Sequence, residues 1–342
     1  MTIVIKFGSG LVVDERLEAR SEALDARARE IAELRTAGER ICVVSSGAIA
    51  LGLPLLGLTR RPAAMPKLQA ASALGQPRLH AAWAEALAAH GLHAAQVLLT
   101  GDDVDRRASY VNVRNTVVEL LDLGVVPVVN ENDATATDEI SFGDNDALAA
   151  HVAVLLHARL LVLLTEVEGV FTGPPGGEGS ALVPDGRDAS AAEFGAGSAL
   201  GRGGMESKVR AAEIAAAAGV TTVIAGGHGA SVLEPVAAGS ASGTWFAGSE
   251  TRAPAFKLWL RHAVRPIARV AVDDGARRAL VEGGASLLAV GVTAVEGAFV
   301  RGDAVELVDA SGEPFAKGLA AVAAHEVTGR NEVVHRDRLA LY

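Results

Sequence analysis

Six short apolar, β-branched runs punctuate the first two thirds of the chain: TIVIKF, RICVVS, AAQVLLT, VVPVVN, LLVLLT and VTTVIAG. Between them lie longer stretches whose apolar residues fall at helical spacing. Residues 16–37 read as a helix stopped at Gly38, and residues 68–90 as a helix-rich stretch. YVNVRNTVVELLDLG reads as a helix ending at Gly124, and NDALAAHVAVLLHA and MESKVRAAEIAAAAG as two more. Strands that are apolar throughout, rather than alternating, are buried on both faces. With helices between them, they predict an α/β fold: a mainly parallel sheet covered by helices on each side. Ligands on such sheets gather beyond the carboxyl ends of the strands.

The 342 residues allow a second domain. The pattern changes after about residue 250, where ETRAPAFK reads as a linker. Short strand-like pieces with turns follow: ARVAVDDGA, SLLAVGVTAVEG, FVRGDAVELVDASGEPFAKGLA and EVVHRD. The expected organisation is a catalytic domain over residues 1–250 and a small β-rich domain over 266–342. Residues 171–204, rich in Gly, Pro and Ala, form an excursion that reads as a hairpin or lid.

A formal net charge of −10 argues against general binding to duplex nucleic acid, while a few local cations would still hold a small anion. The single cysteine, Cys42, lies in an apolar strand and has no internal disulfide partner, which fits a reducing compartment. MTIVIKFGSG reads as a strand and not as a signal peptide. The longest apolar stretch, HVAVLLHARLLVLL, is interrupted by His157 and Arg159 and is too short to span a bilayer. A cytoplasmic protein without a membrane segment is expected.

The strand ends carry the candidate chemistry. Lys6 closes the first strand before Gly8-Ser9-Gly10. It is either a cation aimed at a ligand above the sheet or a strand-end lysine reaching water. Ser45 and Ser46 end the second strand, as helix N-caps or as part of an anion site at that helix terminus. Gly203-Gly204-Met205 opens a helix with Lys208 in its first turn, which suits a phosphate cradle or a plain helix start. The densest group is NENDATATDEISFGDND. It sets Asn130, Glu131, Asn132 and Asp133 at a strand end, then Asp138, Glu139, Asp144, Asn145 and Asp146 before a helix. Capping uses one or two of these groups. The remainder suits an ammonium ligand and the orientation of a lysine or metal. Two lysines for phosphates and carboxylates for an amine suggest a kinase acting on an amino acid. No Walker-type loop, dinucleotide glycine motif or histidine metal cluster occurs in the sequence.

In order, IVIKFGSG, VVSSGAIALG, ALGQPRL, VLLT, YVNVRNTVVELLDLGVVPVVNENDATATDEISFGDNDALAA, LLLTEVEGVF, GRGGMESK and VVHRD make the chain resemble the amino acid kinase family. Within that family, the likeness is to the kinases that act on glutamate. The C-terminal region resembles a PUA domain. The resemblance implies a three-layer αβα sandwich that holds ATP and L-glutamate end to end. The γ-phosphoryl passes directly to the glutamate side-chain carboxylate, giving glutamyl 5-phosphate for proline synthesis.

It also implies roles. Lys6 and Lys208 flank the transferred group, and Asp146 orients them. Ser46, Asn130, Asp133 and Asn145 match glutamate-binding positions. The nucleotide would be held by Lys6, Gly8, Thr165, Glu166 and the run Arg202, Gly203, Gly204, Met205, Glu206, Ser207 and Lys208, with Mg²⁺ on the phosphates. Homo-oligomers and feedback inhibition by proline are further expectations. Glu166 stands where the family commonly has Asp, Arg202 and Glu206 where it has small or neutral residues, and Leu68 where lysine is common; the second domain is short. These departures bear on nucleotide affinity and on the second domain more than on reaction class. Two alternatives are a kinase for another small carboxylate and an RNA-binding protein. The second is disfavoured by the acidic balance and by the lack of a basic–aromatic patch in residues 266–342.

Overall fold

The six apolar runs do become strands in the computed structural model, which describes residues 1–101, 103, 107–135, 145–191, 204–250, 257, 260–261 and 266–342. They are β1 (Thr2–Phe7), β2 (Arg40–Ser45), β3 (Ala94–Leu99), β4 (Val126–Glu131), β5 (Leu160–Thr165) and β6 (Thr221–Gly226), and a short β7 (Thr244–Phe246) follows. The sheet order is β3-β4-β2-β1-β5-β6-β7, with every pairing parallel except that of β7 on β6. The chain runs outward from β1 through β2 and returns to its other side with β5. The carboxyl end of β1 is therefore the topological switch point, where such sheets hold ligands.

Helices of this unit among the described residues include α1 (Ser9–Val12), α2 (Ser21–Thr36), α3 (Ala48–Gly52), α4 (Met65–Ala89), α5 (Arg107–Asp122), α6 (Asn145–Leu155), α7 (Met205–Ala217) and α8 (Leu233–Ala237). One face of β1 presents Ile3, Ile5 and Phe7 to α2, α4 and α8, in a core with Leu24, Ile31, Leu79, Trp83 and Leu233. Phe7 and Trp83 meet with ring centroids 4.8 Å apart. The alternate residues, Val4 and Lys6, face the opposite layer. There α6 packs against both β1 and α7. Burying both faces makes the sandwich.

The α2 helix begins at Ser21, later than the spacing predicts. Asp14 Oδ1 accepts from the backbone N–H groups of Arg16 and Glu18, both at 2.9 Å, and Leu17 takes φ 63°. That turn uses residues the helical pattern had claimed. The serines ending β2 do not cap α3. Gly47, at φ 120°, holds the N-cap position without a side-chain bond. Cys42 is buried in β2, and burial pushes its thiol up to about 12.

Helices α3 and α4 touch backbone to backbone. A methyl on Gly52 would overlap the Ala71 carbonyl, and one on Gly75 would overlap that of Ala48. Part of the predicted excursion is a small antiparallel pairing, with Phe171 bridging to Leu182 and a 3₁₀ turn at Gly186–Ala191; its residues 192–203 lie outside the described ones. Among the described residues, no helix is long and apolar enough to cross a membrane.

The chain divides into two compact units, Met1–Thr251 and Arg252–Tyr342. The second is strand-rich: β8 (Ala268–Val272), β9 (Leu287–Leu288), β10 (Val292–Glu296), β11 (Ala304–Val308), β12 (Pro314–Ala320) and β13 (Glu332–Leu341), with a helix α9 (Asp274–Val281). Its order is β10-β8-β11-β12-β13-β9, antiparallel except for β8 beside β11. Val270, Val272, Leu280, Leu287, Val305, Leu307 and Val333 fill its own core. Asp273 caps α9, accepting from Ala276 N at 2.7 Å.

Candidate active site

Three charged side chains meet between the two halves of the sheet. Lys6, on the penultimate residue of β1, places Nζ 2.5 Å from Asp146 Oδ1. Lys208, in the first turn of α7, donates to Asp146 Oδ2 at 3.0 Å. Asp146, in the first turn of α6, is wholly buried, and the lysine side chains are only 5% and 8% exposed. Ser207 Oγ adds a 3.3 Å contact to Asp146 Oδ2 while also donating to the Gly204 carbonyl at 2.9 Å. Burial pushes the Asp146 carboxyl up, but Lys6 and Lys208 together outweigh burial and hold it below the ordinary carboxylate value. The carboxyl therefore stays ionised at neutral pH. Two ammoniums and one carboxylate sum to a charge of +1 in a site nearly closed to water, which favours an anion.

A second cluster adjoins the first and is neutral. Asn145 immediately precedes Asp146. Its Nδ2 donates to Ser46 Oγ at 2.8 Å, to Asn130 Oδ1 at 2.8 Å and to the Ser45 carbonyl at 3.4 Å. Asn130, at the end of β4 and 2% exposed, in turn donates from Nδ2 to Gln76 Oε1 at 2.7 Å. Asn145 Oδ1 is buried and has no hydrogen-bond partner among the described residues. Asp133, two residues beyond β4, accepts from Ser72 Oγ at 2.9 Å. Below this cluster Trp83 Nε1 donates to Ser45 Oγ at 2.9 Å, which ties the end of β2 to α4.

The other candidates lie around the same sheet edge. Gly8 precedes α1 in an extended conformation. Thr165 ends β5 and accepts from Gly227 N through its carbonyl at 2.7 Å. Glu166 is exposed, and its carboxylate lies over Gly10, close enough that a methyl there would displace it. Gly204 is the N-cap of α7, in an extended conformation, and Met205 and Glu206 open that helix, with Glu206 exposed. Arg202 and Gly203 lie outside the described residues, as do Asp138, Glu139 and Asp144 of the acidic stretch.

Sequence reasoning overlooked Ser72, Gln76 and Trp83. A signal was available in ASALGQPRL: Ser72 and Gln76 are polar, four residues apart and so on one helix face, in a run that is otherwise mostly apolar. Among the described residues, no group of three or more His, Cys, Asp or Glu side chains could hold a metal ion.

Comparison with known proteins bears on the family and the fold. Residues 1–226 match the amino acid kinase family, and residues 268–334 match the PUA domain. The glutamate 5-kinase of Paraburkholderia phytofirmans is 42% identical, the match covering 99% of this chain and 97% of that protein. The glutamate 5-kinase of Pseudomonas entomophila matches at the same identity and coverage. The carbamate kinase from Giardia lamblia, solved bound to AMP-PNP, superposes with a TM-score of 0.52 at 18% identity, over 72% of this chain and 98% of that one, a likeness of fold alone. The chain belongs to the amino acid kinase family, and within it stands with the glutamate 5-kinases.

Proposed function

We propose that the protein transfers the γ-phosphoryl group of ATP to the side-chain carboxylate of L-glutamate, giving L-glutamyl 5-phosphate, the first step towards proline. The observation that carries this reading is the buried Lys6–Asp146–Lys208 cluster directly beside the Asn145–Asn130 amides. Transfer between two anions is a problem of positioning and charge neutralisation. A carboxylate acceptor is already ionised, so the site needs no general base. Lys6 and Lys208 would neutralise charge developing on the transferred group, and Asp146 would hold both ammoniums in place before substrates arrive. Ser46, Asn130, Asp133 and Asn145 would receive the amino-acid end, the Asn145 Oδ1 acceptor and the Asp133 carboxylate suiting an ammonium.

The nucleotide would lie along Gly8, Thr165, Glu166 and the segment from Arg202 to Lys208. Magnesium usually keeps waters and phosphate oxygens as ligands. That fits a described chain without a three-ligand cluster, and the ion would screen phosphate charge when bound. A cytoplasmic homo-oligomer inhibited by proline completes the reading. Incubation with ATP, magnesium, L-glutamate and hydroxylamine tests it: the acyl phosphate is trapped as a coloured hydroxamate. Glutamate-dependent hydroxamate is expected, and ATP turnover without it would defeat the proposal.

A further inference from the structure

Helix α4 contributes two side chains that the roles above leave unused. Ser72 is 3% exposed and Gln76 is 7% exposed. They stand one turn apart on the same helix face, and each is bonded to a group at the end of β4: Ser72 to Asp133, Gln76 to Asn130. The Gln76 bond closes a directional chain. The carbonyl of Ser45 can only accept, so Asn145 must turn its NH₂ group towards it. That NH₂ also faces Asn130, which must then present its oxygen. Asn130 is left pointing its own NH₂ at residue 76, where an acceptor is required. Gln76 supplies one. The outcome at the opposite end is that Asn145 Oδ1 is buried and without a partner among the described residues, the one acceptor the chain of amides leaves over.

Resting on the proposed glutamate kinase activity, we infer that Ser72 and Gln76 are positioning residues for the amino-acid substrate. Gln76 supplies the acceptor that the Asn130 amide needs in the sense set by the Ser45 carbonyl, and so holds the Asn130 and Asn145 amides in the orientation in which an acceptor oxygen meets the substrate ammonium. Ser72 fixes the rotamer of the Asp133 carboxylate, which meets the same charge. Neither touches the reacting atoms. Their contribution belongs to the ammonium end of the substrate, and the phosphate end is held independently by Lys6, Asp146 and Lys208.

Gln76→Met keeps the length of the side chain and removes the acceptor; Gln76→Glu keeps an oxygen facing Asn130. Gln76→Met is expected to raise KM for glutamate about tenfold, the cost of one unsatisfied buried donor, with KM for ATP and kcat near wild type. Gln76→Glu is expected to restore most of that loss. Ser72→Ala, a smaller change that leaves the amide chain alone, is expected to raise the same KM severalfold, so a Gln76→Met protein that failed to fold would still leave the inference open to refutation. An unchanged glutamate KM in Ser72→Ala, or in a folded Gln76→Met, overturns it. So do equal losses for glutamate and ATP, or a Gln76→Glu protein as impaired as Gln76→Met. If the wild type itself yields no hydroxamate, the functional reading fails and this inference with it; if the wild type is active and the variants match it, this inference alone fails.

Discussion

Asn145 and Asp146 are neighbours in the first turn of α6, yet they serve two clusters of different physics. Asp146 sits between two lysines, and its cluster is held by charge at 2.5 and 3.0 Å in a space from which water is almost absent. Asn145 sits among a serine, another asparagine and a backbone carbonyl, and its cluster is held by neutral hydrogen bonds with a fixed donor direction. A charge cluster is strong but isotropic. It gathers an anion and says little about the anion's shape. An amide chain is weaker per bond and strongly directional, so it distinguishes an ammonium from other groups. In the proposed function, placing both on consecutive residues would set the separation between the phosphate end and the amino end by backbone geometry rather than by flexible side chains.

The comparison can be broken most severely at Asp146. Asp146→Asn leaves the Lys6 and Lys208 ammoniums without the carboxylate between them, and is expected to cost about 3–5 kcal/mol of stability, as disrupted buried pairs do. Catalysis should fall further than for any amide substitution. Thermal or urea unfolding and kcat on the same preparations would check both. The pH dependence has a definite sign. The folded-state pKa of Asp146 is lowered, so its stabilisation is complete above the ordinary carboxylate range and is lost as pH falls through the lower, folded-state value. The stability gap between wild type and Asp146→Asn should therefore narrow below about pH 4. A gap that widened in acid would mean that Asp146 is not the ionised partner of the lysines.

Lys6→Ala and Lys208→Ala test the same cluster from its cationic side. Each is expected to lower kcat by roughly 10²-fold, the scale for losing one preorganised donor to a transition state. Wild-type kcat in either variant would remove that lysine from the chemistry. At the directional end, Asp133→Ala is expected to raise KM for glutamate on the order of tenfold to a hundredfold, from loss of one charge-assisted hydrogen bond, while affinity for an ATP analogue holds. Equal weakening of both ligands would show that the two ends are not independent. The smallest effect is expected outside the site. Arg269 pairs with Glu306 at 3.0 Å in the second unit, with the arginine side chain 55% exposed. Arg269→Ala should change stability by about 1 kcal/mol or less and leave kcat alone. A loss matching that of Asp146→Asn would mean that burial is not what distinguishes the two ion pairs.

Most of the sheet was legible because burial on both faces leaves an uninterrupted apolar signature, as in TIVIKF and LLVLLT. The charged cluster was legible through motif order and through lysines at strand and helix ends. The α2 boundary was less so: helical spacing runs through residues 16–20, and only the Asp14 side chain, bonding back to its own turn, overrides it. Ser45 and Ser46 have the composition of N-caps, but in the fold their hydroxyls are engaged by Trp83 and Asn145. The amide chain was only half visible. Asn130 and Asn145 announce themselves in a polar segment, whereas Gln76 shares only a helix face with Ser72, and its role depends on a partner 54 positions away. The local pattern marks a polar helix face but not the distant group that it pairs with.

The reciprocal contact at Gly52 and Gly75 has a consequence for how such a site can change over generations. Helix α3 follows directly on Ser45, Ser46 and Gly47, and α4 carries Ser72 and Gln76, so the two backbones locked together at those glycines hold residues of the proposed amino-acid end of the site at a fixed spacing. Most packed contacts can be retuned by a methylene at a time. This one cannot, because the smallest addition at either position meets a carbonyl oxygen. The spacing of these two helices is thus a quantised property, open to no gradual drift. A lineage acquiring a longer or shorter substrate would have to change other parts of the site, while these two helices stayed where they are.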